Sequence, residues 1–204
     1  MDTINTLRIT LPENWGDIKL GQYIEFSLTD FNELTSFQKM TRILSILTDI
    51  DEDSIMKLNV PQISELISEL DWMYEKETPK LRKVIEIDGI KYGSIRKYQN
   101  IKVGEFIDLE TYMENYVPNL HKVLAILYRP ITSYIDDENY TIEDYDSETA
   151  ETRADLFYAK FTARDAISTS VFFWNFAEMY LANLTDYLQM EAMEMEKTLT
   201  NISE

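Results

Sequence analysis

One imidazole is all this chain offers for proton transfer near neutral pH. His121 sits in Leu120-His121-Lys122-Val123-Leu124, on a helix face with no serine, cysteine or acid at a triad-like spacing, so a general base is the most it could supply. There is no cysteine, which removes thiolate nucleophiles, disulfides and cysteine-bound zinc, and favours an intracellular setting. A zinc site of the usual kind needs several nitrogen or sulfur ligands, and one histidine does not supply them. Asp49-Ile50-Asp51-Glu52-Asp53-Ser54 has the alternating carboxylates of a calcium loop. However, Ser54 stands where the tight turn wants glycine, and Val60 where a bidentate glutamate is needed. Acids just ahead of Ile55-Met56-Lys57-Leu58 fit the start of a helix better. The sequence therefore shows no catalytic or metal site, no cofactor is expected, and the chain reads as a non-enzyme.

Charge points instead to contacts with other proteins. The net charge is −18, which repels a bare nucleic-acid backbone, so nucleic acid is not an expected partner. From Ile131 to Glu204 there are 16 acidic and 4 basic residues, so about two thirds of the excess lies in the last third of the chain. The one basic zone is Arg82, Lys83, Lys91, Arg96, Lys97 and Lys102, interleaved with Tyr92 and Tyr98. In repeated copies, the acids Asp136, Asp137, Glu138 and Asp144 of one subunit could meet Arg82, Lys83, Lys91, Arg96 and Lys97 of the next. A head-to-tail contact of that kind closes into a ring. These nine residues are the candidate interface.

Several elements must position them. Val84-Ile85-Glu86-Ile87 and Ile90-Lys91-Tyr92 flank Asp88-Gly89, a pair suited to a type I′ hairpin turn because both central residues need positive φ. A lone hairpin is marginal in water, and Leu7-Arg8-Ile9-Thr10-Leu11, stopped by Pro12, is the expected third strand. Helical spacing of apolar residues runs from Gln22 to about Asn32, from Ser36 to Leu47 and from Pro61 to Tyr74. Two more helices are expected from Val103 to Tyr128, with Pro118 opening the second, and one or two long ones from Ser147 to Leu199. Between them Ile135 to Asp146 mixes acids with tyrosines without a helical period and reads as an exposed connection. Val171 to Leu181, with Phe172, Phe173, Trp174 and Phe176, is too aromatic all round for a surface helix and is expected at the bundle centre or at a protein contact. The tail Met190 to Glu196 alternates methionine or alanine with glutamate, as an adaptable contact helix does. The expected fold class is mainly α (α+β): a helical bundle with a small antiparallel sheet. It divides into residues 1–80, 81–130 and 131–204 within one compact domain. No stretch approaches the roughly 18 apolar residues of a membrane span, and the N-terminal residues lack the order of a signal peptide.

The chain also resembles itself at an offset of 83 residues. Ile18-Lys19-Leu20-Gly21-Gln22-Tyr23-Ile24-Glu25-Phe26 returns as Ile101-Lys102-Val103-Gly104-Glu105-Phe106-Ile107-Asp108-Leu109. A weaker echo continues from Phe37, Lys39, Met40, Ile43 and Leu44 to Leu120, Lys122, Val123, Ile126 and Leu127. This implies a duplicated helical hairpin with the two copies packed about a pseudo-twofold. Each glycine falls at a helix start, where a missing side chain admits a close neighbour, and the aromatic two residues later anchors the helix.

The first copy, followed by Lys39-Met40-Thr41-Arg42-Ile43-Leu44-Ser45-Ile46-Leu47-Thr48 and later by Phe172-Phe173-Trp174, resembles small helical virion and tail-assembly proteins of tailed bacteriophages, especially the crAss-like group. That resemblance implies a structural protein in the virion, or in the host cytoplasm during assembly. Its expected place is a repeated ring or connector subunit at the head-to-tail junction, a homo-oligomer touching portal, neck or tail components. A cytoplasmic tail-assembly chaperone is the alternative, and an enzyme with an unrecognised site is the third. A polar pocket around His121 with nearby carboxylates would favour that last reading.

Overall fold

The computed structural model describes residues 8–75, 80–95 and 101–170. Val171–Leu181, the methionine-rich tail, Leu7, Arg96 and Lys97 lie outside them, and with them the expectations placed there.

The fold is mainly helical with a four-stranded antiparallel sheet, α+β as expected. Helices α1 (Leu20–Leu28), α2 (Ser36–Thr48), α3 (Glu52–Ile55) and α4 (Val60–Ser68) come first, then a 3-10 turn at Asp71–Tyr74. The hairpin β1 (Val84–Ile87) and β2 (Ile90–Ser94) leads to α5 (Val103–Met113) and α6 (Tyr116–Leu127), then β3 (Tyr128–Asp136), β4 (Asn139–Ile142) and α7 (Ser147–Lys160). Residues 163–170 are helical again.

Local chemistry sets most of these boundaries. The Thr35 hydroxyl accepts from the Gln38 N–H, and Gln38 Oε1 accepts from the Thr35 N–H, closing the start of α2. Asn59 and Gln62 do the same for α4, with Pro61 in the first turn. Asp51, from the would-be calcium loop, caps α3 by accepting from the Ser54 N–H at 2.9 Å. Asp146 caps α7 through the Thr149 N–H. α1 stops at Leu28, short of Asn32, because Thr29 is extended and Asp30 turns the chain by accepting from the Asn32 N–H.

The hairpin turn has Asp88 at φ 52° and Gly89 at φ 78°, the positive pair that type I′ requires. The third strand is not Leu7–Leu11, since residues 8–12 form no strand. It is β3, pairing Tyr92 with Pro130 and Ser94 with Tyr128. β3 then continues into the stretch expected to be an irregular acidic connection, which is a second hairpin: Ile131 pairs with Ile142, Tyr134 with Tyr140 and Asp136 with Asn139, with two register irregularities. The sheet order is β1-β2-β3-β4.

Two apolar clusters share α1 and the helical residues 163–170. One gathers Ile18, Leu44, Leu47, Ile55, Ile63, Leu70 and Ala163, with Trp15 and Trp72 edge to face at 5.4 Å and the Trp72 indole N–H donating to the Pro12 carbonyl. The other centres on Leu20, Ile24, Leu120, Val123, Leu124, Tyr128, Phe157 and Phe161 under the sheet. Tyr23 touches both. Burying side chains of this size contributes about 1.5–3 kcal/mol each before entropy is counted.

Candidate interaction surface

The second hairpin is exposed from residue 132 to residue 139 but anchored at Tyr140. β3 carries two register irregularities, and the Tyr140 ring of β4 packs against Gly93 of β2. A Cβ at Gly93 would sit 2.4 Å from Tyr140 Cε2 and 2.9 Å from Ile142 Cγ2, so only glycine admits the ring there. The Tyr140 hydroxyl is within hydrogen-bond range of the Ser94 carbonyl at 2.9 Å and the Lys83 carbonyl at 3.2 Å. The second hairpin is thus an arm folded over the first and pinned by one tyrosine.

That folding brings one basic and one acidic candidate, Lys83 and Glu138, together within a single chain. The Lys83 ammonium lies 2.6 Å from both carboxylate oxygens of Glu138. Lys91 stands 3.8 Å over the Tyr134 ring centroid, a cation–π contact. Arg82 reaches Asp165 at 3.3 Å and Lys102 reaches Asp144 at 2.7 Å. Asp136 serves the arm's own turn, accepting from the Glu138 N–H and the Asn139 amide. Asp137 accepts from the Tyr134 hydroxyl at 2.6 Å, which raises that phenol above its usual value. The hydrogen bond from Lys102 lowers the Asp144 carboxyl. Every candidate among the described residues thus has a partner in its own chain, but only Lys83 and Glu138 join a basic candidate to an acidic one. These pairs are mostly exposed, and each is worth little in water.

What sequence reasoning missed is buried. Glu105 and Arg129 are both shut away from solvent, with a guanidinium nitrogen 2.8 Å from Glu105 Oε1. That oxygen and Arg129 Nε lack hydrogen bonds of proper direction, so the contact is electrostatic. The other Glu105 oxygen accepts from the Lys102 N–H at 2.6 Å. Arg153, buried alongside, donates from Nε to the Ala125 carbonyl, and burial lowers its pKa. Tyr145 donates to Asp108 nearby; burial, then that bond, raises its phenol. The sequence carried one sign of this cluster, an arginine directly after the apolar run Val123 to Tyr128, for such charges are buried only when paired.

His121 meets the edge of the Tyr158 ring, centroids 5.4 Å apart. Its Nδ1 is buried without a hydrogen bond, and burial lowers its pKa. It is absent from the lining of three cavities, which Leu11, Ile43 and Arg42 respectively help to line. One of these is apolar, about 240 Å³, lined by Trp15, Phe26, Ile43, Ile67, Leu70, Met73 and Tyr74. Among the described residues no cluster of three or more acids or histidines is placed to hold a metal, and no helix is long and apolar enough to cross a membrane.

No family model, curated protein or solved structure matches this chain.

Proposed function

We propose that this chain is a non-enzymatic assembly protein, a repeated subunit of a ring or connector at the head-to-tail junction of a tailed bacteriophage. The observation that carries this reading is the arm. A strand pair folded onto its own chain leaves Ile135 of β3, 78% exposed, beside Tyr134, Asp136 and Asp137, and Ile90 at the start of β2 is exposed as well. Large apolar side chains rimmed by charge are the composition of a contact surface. A second, non-equivalent set, Leu28, Phe37, Val60 and Tyr74, is exposed on the first four helices and the turn after them. Exposed apolar side chains on two non-equivalent parts of one subunit fit the heterologous contact that closes a ring. The placement in a phage rests on the resemblance of the helix starts and of Lys39 to Thr48.

Light scattering and negative-stain imaging of the purified protein test the reading. A closed ring, or incorporation into purified particles together with portal, neck or tail components, is the expected result. A monomer found only in particle-free lysate would overturn it and favour the tail-assembly chaperone. The apolar cavity under Tyr74 gives that second reading its own support, because its volume suits one large side chain of a client.

A further inference from the structure

The two copies of the internal repeat begin alike in structure. Lys19 and Lys102 precede α1 and α5 with φ, ψ of −71°, 153° and −75°, 154°. In each, the side chain three residues on, Gln22 or Glu105, accepts from the lysine backbone N–H at 2.9 or 2.6 Å. The glycine then occupies the second helical position in both. What lies against that glycine differs completely.

In the first copy the face is covered. Leu20 is wholly buried and Ile24 nearly so, and a Cβ at Gly21 would fall 2.6 Å from the Tyr158 ring. The covering segment is the end of α7 and the extended residues after it. The Leu20 N–H donates to the Phe161 carbonyl and the Ala163 N–H to the Ile18 carbonyl, both at 2.8 Å, and Lys19 bridges Thr162. In the second copy the equivalents lie open: Val103 is 77% and Ile107 54% exposed, and among the described residues nothing lies within 4 Å of a Cβ at Gly104. Gly104 has ordinary helical backbone, so it costs helix stability relative to alanine with no close neighbour among the described residues to require it.

We infer that the Val103–Gly104–Ile107 face of α5 is a docking site for a segment of another protein. That segment enters as Phe157–Ala163 enters the first copy: an aromatic ring against the glycine, followed by extended backbone alongside Ile101–Val103. Charge selects its chemistry. Further along the same face stand the exposed Glu110 and Glu114, at the seventh and eleventh residue from Val103, so the incoming segment carries basic residues beside its aromatic. A second copy of this chain fits poorly, because Phe157 and Phe161 of its equivalent segment are already buried and its net charge is −18. The inference stands on the repeat and its exposure, and does not depend on the phage assignment.

The probe is a fluorescent peptide with the sequence of residues 156–164, Leu-Phe-Tyr-Ala-Lys-Phe-Thr-Ala-Arg, titrated into the full chain and followed by anisotropy. Saturable binding is expected, weakened about tenfold or more by Ile107→Glu and by Gly104→Leu, and unchanged by Met56→Glu, a comparably exposed apolar site elsewhere. Gly104→Ala should raise Tm by about 2 °C, since only helix propensity changes. Absence of saturable binding, or equal loss with Met56→Glu, overturns the site. A lowered Tm for Gly104→Ala would make that glycine a requirement of the monomer and remove the reason for a partner. A dimer of the native chain abolished by Ile107→Glu would make the occupant a second copy, against the inference.

Discussion

Gly93→Ala should unseat the arm, and the size of the effect follows from the contacts around Tyr140. The new Cβ would lie 2.4 and 2.7 Å from two ring carbons and 2.9 Å from Ile142 Cγ2, where ordinary carbon contacts need about 3.5–4.0 Å. The ring must move by roughly 1 Å to restore that separation. It is tethered at the far end, its hydroxyl 2.9 Å from the Ser94 carbonyl, so the same displacement carries the bond beyond useful length. Overpacking costs about 1–3 kcal/mol and the lost hydrogen bond about 1 kcal/mol. We expect about 2–4 kcal/mol, a fall in Tm of about 4–16 °C for a chain of this size. Tyr140→Ala alone should cost about 3 kcal/mol, because the ring is buried. In the double variant the alanine at position 93 meets only Ile142, so the two losses should fall short of additive by about 2 kcal/mol. Urea denaturation of the four proteins measures that coupling, and hydrogen exchange at the β4 amides reports the arm directly. Additive losses would refute the argument, for they would mean that Gly93 and Tyr140 do not act on each other.

Other expectations follow from the buried groups and the seam. Glu105→Gln keeps the helix cap, as Gln22 shows at the equivalent place in α1, but strands the Arg129 charge in the interior; a loss of about 3 kcal/mol in urea denaturation is expected. Gln22→Glu keeps the cap too, but it replaces the amide that donates to the Ile46 and Leu47 carbonyls with an acceptor, and should cost about 1–3 kcal/mol. His121 has its pKa lowered from 6.5, chiefly by burial, so the unfolded chain binds its proton first, and stability should fall as pH drops below about 6.5. His121→Gln should flatten the dependence of Tm on pH between about 7 and 5. Lys83→Glu sets two acids facing each other at the seam, so exchange at the β4 amides should quicken; adding Glu138→Lys should restore it, with the difference shrinking as salt rises.

The helices were legible because their signals are local. Thr35 with Gln38, Asn59 with Gln62 and Asp51 with Ser54 announce helix starts within four residues, and Asp88-Gly89 announces a turn within two. The arm carried a signal too: Ile131, Thr132, Tyr134 and Ile135, then Tyr140 and Ile142, are β-formers about a turn-rich tetrad. Its acids concealed it, because a strand edge with Asp136, Asp137 and Glu138 at its tip has the composition of a loop. Its partner strand was beyond local reading altogether. Nothing in Tyr128-Arg129-Pro130 reveals that it pairs with Tyr92 to Ser94 across a helical hairpin, since that pairing is set by how α5 and α6 fill the space between. The buried Glu105 was hidden for the same reason. As a third helical residue it caps α5, as its counterpart Gln22 caps α1, and only the packing of β3 behind it makes the carboxylate an ion-pair partner.

The repeat then explains how one short sequence serves two ends. Capping at Lys19 and Lys102 is the same because it depends on four consecutive residues, whereas burial depends on what the rest of the chain lays across them. The first copy received α7 and the strand-like Phe161–Ala163, so its glycine is required by Tyr158, and Gly21→Ala should be destabilising. The second copy received the Glu105–Arg129 pair beneath it and, among the described residues, nothing against its glycine. If the glycine were only part of the capping motif, the two alanine variants would behave alike, because the two helix starts share their backbone angles. Opposite signs, destabilising at Gly21 and stabilising at Gly104, separate a requirement of close packing from one of helix initiation. That comparison uses the chain as its own control, since the flanking lysine, the cap and the following aromatic are present at both sites.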